Sequence, residues 1–172
     1  MWESVGGVRP EGTGPHHAEV ADRIRIVPET AEKMFQGTTL ITLDAKGRLS
    51  LPVRVREEIA AAGGVLIAAR HPDGCLVLYP EAAWAPRREA LLAMPFSARG
   101  FVRLVLGSAS ELRPDRAGRV LIPAGLRELA GLGREAALVG WGDHFELWDR
   151  ERLAAADAAA AAQDVSGLDF SF

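Results

Sequence analysis

The chain has 172 residues, 48% of them hydrophobic and 25% charged, a balance that suits a globular protein with one core or two small ones. No apolar run approaches the roughly 18 residues that a membrane-spanning helix needs, so a transmembrane segment is excluded. The formal net charge of -3 also excludes the strong overall positive field of a non-specific nucleic-acid binder.

The charge is unevenly placed. Residues 34–142 hold fourteen Lys plus Arg against ten Asp plus Glu, net +4. Residues 143–172 hold two against seven, net -5, and residues 1–33 hold four against six, net -2. An anion-binding surface is therefore expected in the middle of the chain. Residues 1–33 mix Gly, Pro, acids and His with little apolar periodicity and without the continuous apolar stretch of a secretory signal. They read as a disordered extension or a misassigned start, with Met34 as the true first residue. The single cysteine, Cys75, cannot form an internal disulfide and fits a reducing compartment, so the expected location is the cytoplasm.

From Met34 the elements come in two rounds. Thr39 to Leu43 reads as a strand, Asp44 to Gly47 as a turn and Arg48 to Leu51 as a second strand, the turn closing a tight hairpin. Pro52 opens a helix that runs to about Ala62 and stops at Gly63-Gly64. Val65 to Ala69 and Cys75 to Tyr79 form a hairpin around the turn sequence HPDG. A helical stretch follows from Pro80 to Ala93 with a restart at Pro86, and Pro95 separates it from a second helix over Ser97 to Ser108. The second round starts with a short strand at Glu111, then a turn, a strand, Pro123 and a helix ended by Gly131 and Gly133. The segment AALVGWGDHFELWD supplies another hairpin around Gly142-Asp143, and an alanine-rich helix over about Arg150 to Ala162 precedes the frayed tail GLDFSF. The resulting organisation is an extension (1–33), a first half with the start of a bridge (34–94), a bridging helix (95–109), a second half (110–149), and a helix with an acidic tail (150–172).

The two rounds repeat one another. With a shift of 71 positions, Asp44, Gly47, Arg48, Pro52, Arg56 and Glu57 fall on Asp115, Gly118, Arg119, Pro123, Arg127 and Glu128. CLVLYP then sits against HFELWD after a two-residue deletion. The spacing has a physical meaning. Aspartate at the first turn position accepts a hydrogen bond from the backbone N–H two residues on, and glycine at the fourth takes φ > 0 at no steric cost. Beyond the turn the side chains alternate, which sends Leu49, Leu51, Val120 and Ile122 to the core and Arg48, Ser50, Arg119 and Leu121 outward. Val55 and Leu126 share an apolar helix position. Each turn thus projects one arginine from a stiff base.

The segments LDAKGRLSLPVRVREEI and PDRAGRVLIPAGLREL resemble the AbrB-type DNA-binding half-motif, and two copies in one chain resemble the MraZ family from Met34 to about Asp149. The resemblance implies an α+β fold: a duplicated AbrB-like, double-split β-α-β (swapped-hairpin) domain with pseudo-two-fold symmetry and with connecting and C-terminal helices. It further implies a ring-shaped homo-oligomer. The implied function is sequence-specific binding to double-stranded DNA, at direct repeats ahead of the bacterial division and cell-wall gene cluster, with control of its transcription at the nucleoid.

The arginine that ends each Asp-x-x-x-Arg motif, Arg48 or Arg119, is the leading DNA-contact candidate by that resemblance. A planar guanidinium pairs with guanine O6 and N7 or grips a phosphate. The plainer reading is an ion pair with Asp44 or Asp115 that braces the turn, and the two roles are compatible. Lys46 and Arg116 sit at the tips, as phosphate contacts or as ordinary solvated charges. Arg56 and Arg127 match a basic helix position of the half-motif, and either touch DNA or only cap packing beside Glu57 and Glu128.

Other constellations read plainly. His71, Cys75 and His144 are turn histidines and a strand cysteine rather than a metal site. Gly131-Leu132-Gly133 lacks the setting of a dinucleotide loop, and no Ser, His and Asp set has the context of a catalytic triad. No enzyme activity, cofactor, metal or small-molecule substrate is expected. Trp84, Trp141, Trp148 and Tyr79 read as packing or subunit contacts. FVRLVL, residues 101–106, is a helix that must pack on more than one side to bury its apolar surface. The alternative to a regulator is an oligomeric assembly module without specific DNA binding, and the feature that separates the two is whether the arginines of both turns share one exposed face.

Overall fold

The computed structural model describes residues 35–164. The expected extension over residues 1–33, the start at Met34 and the tail GLDFSF lie outside the described residues.

Among the described residues, eight strands and five helices follow one another in two rounds. The first is β1 (Phe35–Thr42), β2 (Arg48–Ser50), α1 (Val53–Ala61), β3 (Leu66–Arg70) and β4 (Leu76–Pro80). Helix α2 (Glu81–Leu92), a 3-10 turn (Phe96–Ala98) and α3 (Arg99–Leu106) form the bridge. The second round is β5 (Ser110–Leu112), β6 (Arg119–Leu121), α4 (Ala124–Ala130), β7 (Glu135–Gly142) and β8 (Phe145–Asp149), closed by α5 (Arg150–Ala161). The chain is therefore α+β, with antiparallel sheets throughout.

Local chemistry explains the element ends. Pro52, Pro80 and Pro123 precede α1, α2 and α4, each with φ between -54° and -52°, the ring holding the entry conformation. Asp149 caps α5 by accepting from the backbone N–H groups of Glu151 and Arg152. Gly131 ends α4 in the left-handed region at φ 60°, where a side chain is strained. Pro86 does not restart a helix as expected. Helix α2 runs unbroken through it, forgoing the one bond that residue 86 would otherwise donate to the Ala82 carbonyl.

Strand pairing departs from the expected hairpins at the two motif turns. β1 pairs with β7 of the second round along its whole length, and only a single bridge, Leu43 to Leu49, ties it to β2. β2 instead pairs with β6, its counterpart, to make a separate two-stranded ribbon. The order in the six-stranded sheet is β1-β7-β8-β4-β3-β5. Exchanging each strand for its counterpart in the other round turns this order into its own reverse. Local sequence reveals a turn, but the ladder partner is chosen by which apolar faces can be buried together.

Alternation of side chains divides the core into two layers. Leu66, Ala68, Leu76, Leu78, Leu138 and Leu147 face the ribbon and helices α1 and α4, where they meet Leu49, Val120, Ile59 and Leu126. Ile67, Ala69, Val77 and Tyr79 face the other way, under Trp84 and Leu91 of α2 and Val105 of α3. Full burial of a side chain such as Leu49 or Ile122 stabilises the fold by roughly 1.5–3 kcal/mol. Helix α3 buries Val105 and packs Leu104 and Leu106 partly against the same core, while Phe101 stays exposed. Trp84, Trp148 and Tyr79 are buried within the chain, whereas Trp141 is 63% exposed.

Candidate nucleic-acid interface

Asp44 organises the first motif turn. Its Oδ1 accepts from the backbone N–H of Lys46 at 2.9 Å and of Arg48 at 3.0 Å, while Gly47 N–H donates to the Asp44 carbonyl at 2.8 Å. The second turn repeats this bond for bond. Asp115 Oδ1 accepts from Ala117 at 2.9 Å and Arg119 at 3.0 Å, and Gly118 N–H reaches the Asp115 carbonyl at 2.8 Å. Gly47 and Gly118 sit at φ 79° and 73°, the left-handed conformation that glycine adopts without strain.

The remaining carboxylate oxygen holds the motif arginine. Arg48 donates from Nε to Asp44 Oδ2 at 2.7 Å with Nη2 also at 2.7 Å, and Arg119 does the same to Asp115 at 2.9 and 2.8 Å. The backbone N–H of Arg48, followed by its side chain, holds the Asp44 carboxyl down to about 2, and Arg119 lowers that of Asp115 in the same way. The arginines remain open to solvent, with 31% and 39% of their side chains exposed, so each presents unengaged N–H groups outward.

Ribbon register brings the two together. Arg48 pairs with Leu121, Leu49 with Val120 and Ser50 with Arg119. Residues opposite one another in an antiparallel pair point to the same side. Arg48, Ser50, Arg119 and Leu121 therefore share the outer face of the ribbon, and Leu49 and Val120 anchor the inner face in the core. Lys46 and Arg116 lie exposed at the two turn tips beside that face.

Arg56 and Arg127 each lie against the motif turn of the opposite round, a partner that the repeat pattern alone does not identify. Arg56, on α1, lies over Gly118 of the opposite turn, with Nη1 3.4 Å from the Ala117 carbonyl. Arg127, on α4, lies over Gly47, with Nε 3.2 Å from the Ile122 carbonyl. A Cβ on Gly118 would clash with Arg56 Cδ, and one on Gly47 would stand 2.5 Å from Arg127 Nε. The paired identities at the shift of 71 were the available signal, but sequence alone does not say which copy meets which.

Elsewhere, burial pushes the Cys75 thiol up to about 12, so it is not a thiolate at neutral pH. His144 is buried, stacked on the Tyr79 ring with centroids 4.4 Å apart and hydrogen-bonded to Asp143 at 2.9 Å. Among the described residues no three His, Cys, Asp or Glu gather in a group that could hold a metal, and no helix is long and apolar enough to cross a membrane.

Fold and site together define an α+β protein whose duplicated aspartate-glycine-arginine turns meet on one ribbon. Residues 34–100 and 105–165 match the family model described as "MraZ protein, putative antitoxin-like". Similar curated proteins, each called "Transcriptional regulator MraZ", come from Acidovorax sp. (strain JS42) and Bordetella pertussis (strain Tohama I). Both are 46% identical over 142 residues, covering 81% of this chain and 100% of the relative. That of Herminiimonas arsenicoxydans is 44% identical over the same shares. The chain belongs to the MraZ family.

Proposed function

We propose that the protein is a DNA-binding transcriptional regulator rather than an enzyme, and that it reads short direct repeats upstream of the division and cell-wall gene cluster. The observation that carries this reading is the common outward face of Arg48 and Arg119 on the β2–β6 ribbon. Two guanidinium groups on a stiff two-stranded ribbon suit the major groove, which admits such a ribbon and offers guanine O6 and N7 to a planar fork. Their ion pairs with Asp44 and Asp115 fix orientation while leaving N–H groups for a base or phosphate. Lys46 and Arg116 at the tips contribute phosphate contacts that position the ribbon. The names of the relatives support regulation of transcription.

The reversing strand order supports a swapped-hairpin, pseudo-two-fold unit of AbrB type built from one chain. One protomer presents few cations within a net charge of -3, so affinity requires several protomers on several repeats, as a ring-shaped homo-oligomer supplies. Exposed Leu92, Phe96 and Trp141 give the protomer apolar surface for that self-association. The protein acts in the cytoplasm, at the nucleoid.

Mobility shifts on the chain's own upstream DNA, against a shuffled sequence of equal length, test this directly. Retention specific to the repeats, falling steeply as salt rises because phosphate contacts release counterions, is the expected result. An assembled protein with no preference for the repeats would instead fit the assembly-module reading.

A further inference from the structure

We propose that Arg56 and Arg127 are positioning residues that act in trans between the two halves: each seats the motif turn of the opposite round and thereby aims that turn's arginine. The functional part of this inference rests on the DNA-binding reading above; the structural part stands without it.

The contacts are reciprocal. Arg56 of the first round covers Gly118 of the second, and Arg127 of the second covers Gly47 of the first. Both glycines are buried although their turns are exposed, because the crossing arginine stem lies on them. The backbone follows the same exchange. Leu51 N–H donates to the Gly118 carbonyl at 3.1 Å, and Ile122 N–H donates to the Gly47 carbonyl at 3.0 Å. Each turn is thus held at its base by its own aspartate and from the side by the other half.

Orientation favours this role over direct contact with a nucleic acid. Arg56 Nε is buried and makes no hydrogen bond among the described residues, so the stem is seated by packing. Swinging that guanidinium out to a phosphate would uncover Gly118 and abandon the Ala117 carbonyl. Arg127 Nε instead donates to the Ile122 carbonyl of its own round, which fixes the stem where it packs over Gly47 of the opposite turn. Glycine at positions 47 and 118 therefore meets two demands at once, a positive φ and room for a neighbouring stem. The consequence is that neither half presents its arginine alone: loosening one helix arginine loosens the motif turn of the other round.

Amide hydrogen exchange on the full-length protein without DNA tests the structural part. Arg56→Ala is expected to speed exchange roughly three- to tenfold at Ala117, Gly118 and Arg119, about what loss of one modest backbone restraint gives, while Lys46, Gly47 and Arg48 keep their protection. Arg127→Ala is expected to do the reverse. Equal acceleration at both turns, acceleration only at the turn of the same round, or no change at either would overturn the assignment. The functional part is read from DNA affinity against salt. Positioning requires weaker binding with an unchanged salt slope, whereas a shallower slope with unaltered exchange means a direct phosphate contact and would refute it. If the parent protein shows no repeat-specific binding, the DNA reading fails while the exchange pattern still decides the cross-turn contact.

Discussion

Asp44 shows how one side chain sets the chemistry of a turn. Its carboxylate accepts two backbone N–H groups and a guanidinium, and the first of these, from Arg48, is the main reason its carboxyl sits at about 2 rather than 3.8. A folded-state value below the unfolded one means that the stabilisation is fully present above about pH 4 and is lost as pH falls through 2. The bracing of Arg48 is therefore constant through neutral and mildly acidic solution. A carboxyl-carbon NMR titration should place the Asp44 midpoint near 2, with that of Asp115 also below the ordinary aspartate value. A midpoint for Asp44 at 3.8 would mean that neither the Arg48 backbone bond nor the ion pair forms in solution. The Asp-x-x-Gly-Arg spacing made this turn legible in the sequence, since the Asx bond and the positive φ are properties of four neighbouring residues. The seating of Arg56 on Gly118 was not legible, because it depends on how segments some sixty residues apart meet.

At the scale of elements, the ribbon of β2 and β6 is only three residues per strand, too short to stand alone. It is held because its inner side chains belong to the main core, with Leu49, Val120 and the adjoining Ile122 almost wholly buried. Ile122→Ala should lower stability by about 2–5 kcal/mol, the usual effect of a cavity at such a site, whereas Leu121→Ala, on the exposed face, should change it by less than about 0.5 kcal/mol. Urea denaturation at fixed protein concentration separates the two. Similar losses for both would mean that the outer face is covered. Alternation along RLSLP and RVLIP revealed the inner and outer faces, since period 2 is local. It did not reveal the partner strand: a hairpin from β1 to β2 satisfies the same pattern, and only the long β1–β7 ladder decides against it. Helix α3 is a similar case. An apolar block reads as a buried helix, yet of its residues Val105 is buried, Leu104 and Leu106 are partly covered and Phe101 faces solvent.

At the scale of the whole molecule, the charge gradient and the strand order work together. The basic middle of the chain contains both motif turns, and the interleaving of the rounds places them on one ribbon although they are 71 residues apart. Family membership was legible because the motifs recur with their gaps preserved, and the matches over residues 34–100 and 105–165 cover both copies. For the ring-shaped assembly proposed above, exposed residues such as Phe96 at 78% offer apolar surface. The central claim is that two arginines from two turns act as one reading head. It is tested most directly by repeat-specific DNA affinity of Arg48→Ala, Arg119→Ala and the double variant, with oligomeric state checked in parallel. The expected result is that each single substitution lowers affinity for the repeats at least tenfold, the loss of roughly 1.4 kcal/mol or more that a bidentate arginine supplies, with assembly intact. Undiminished binding to the repeats by the double variant would contradict the claim.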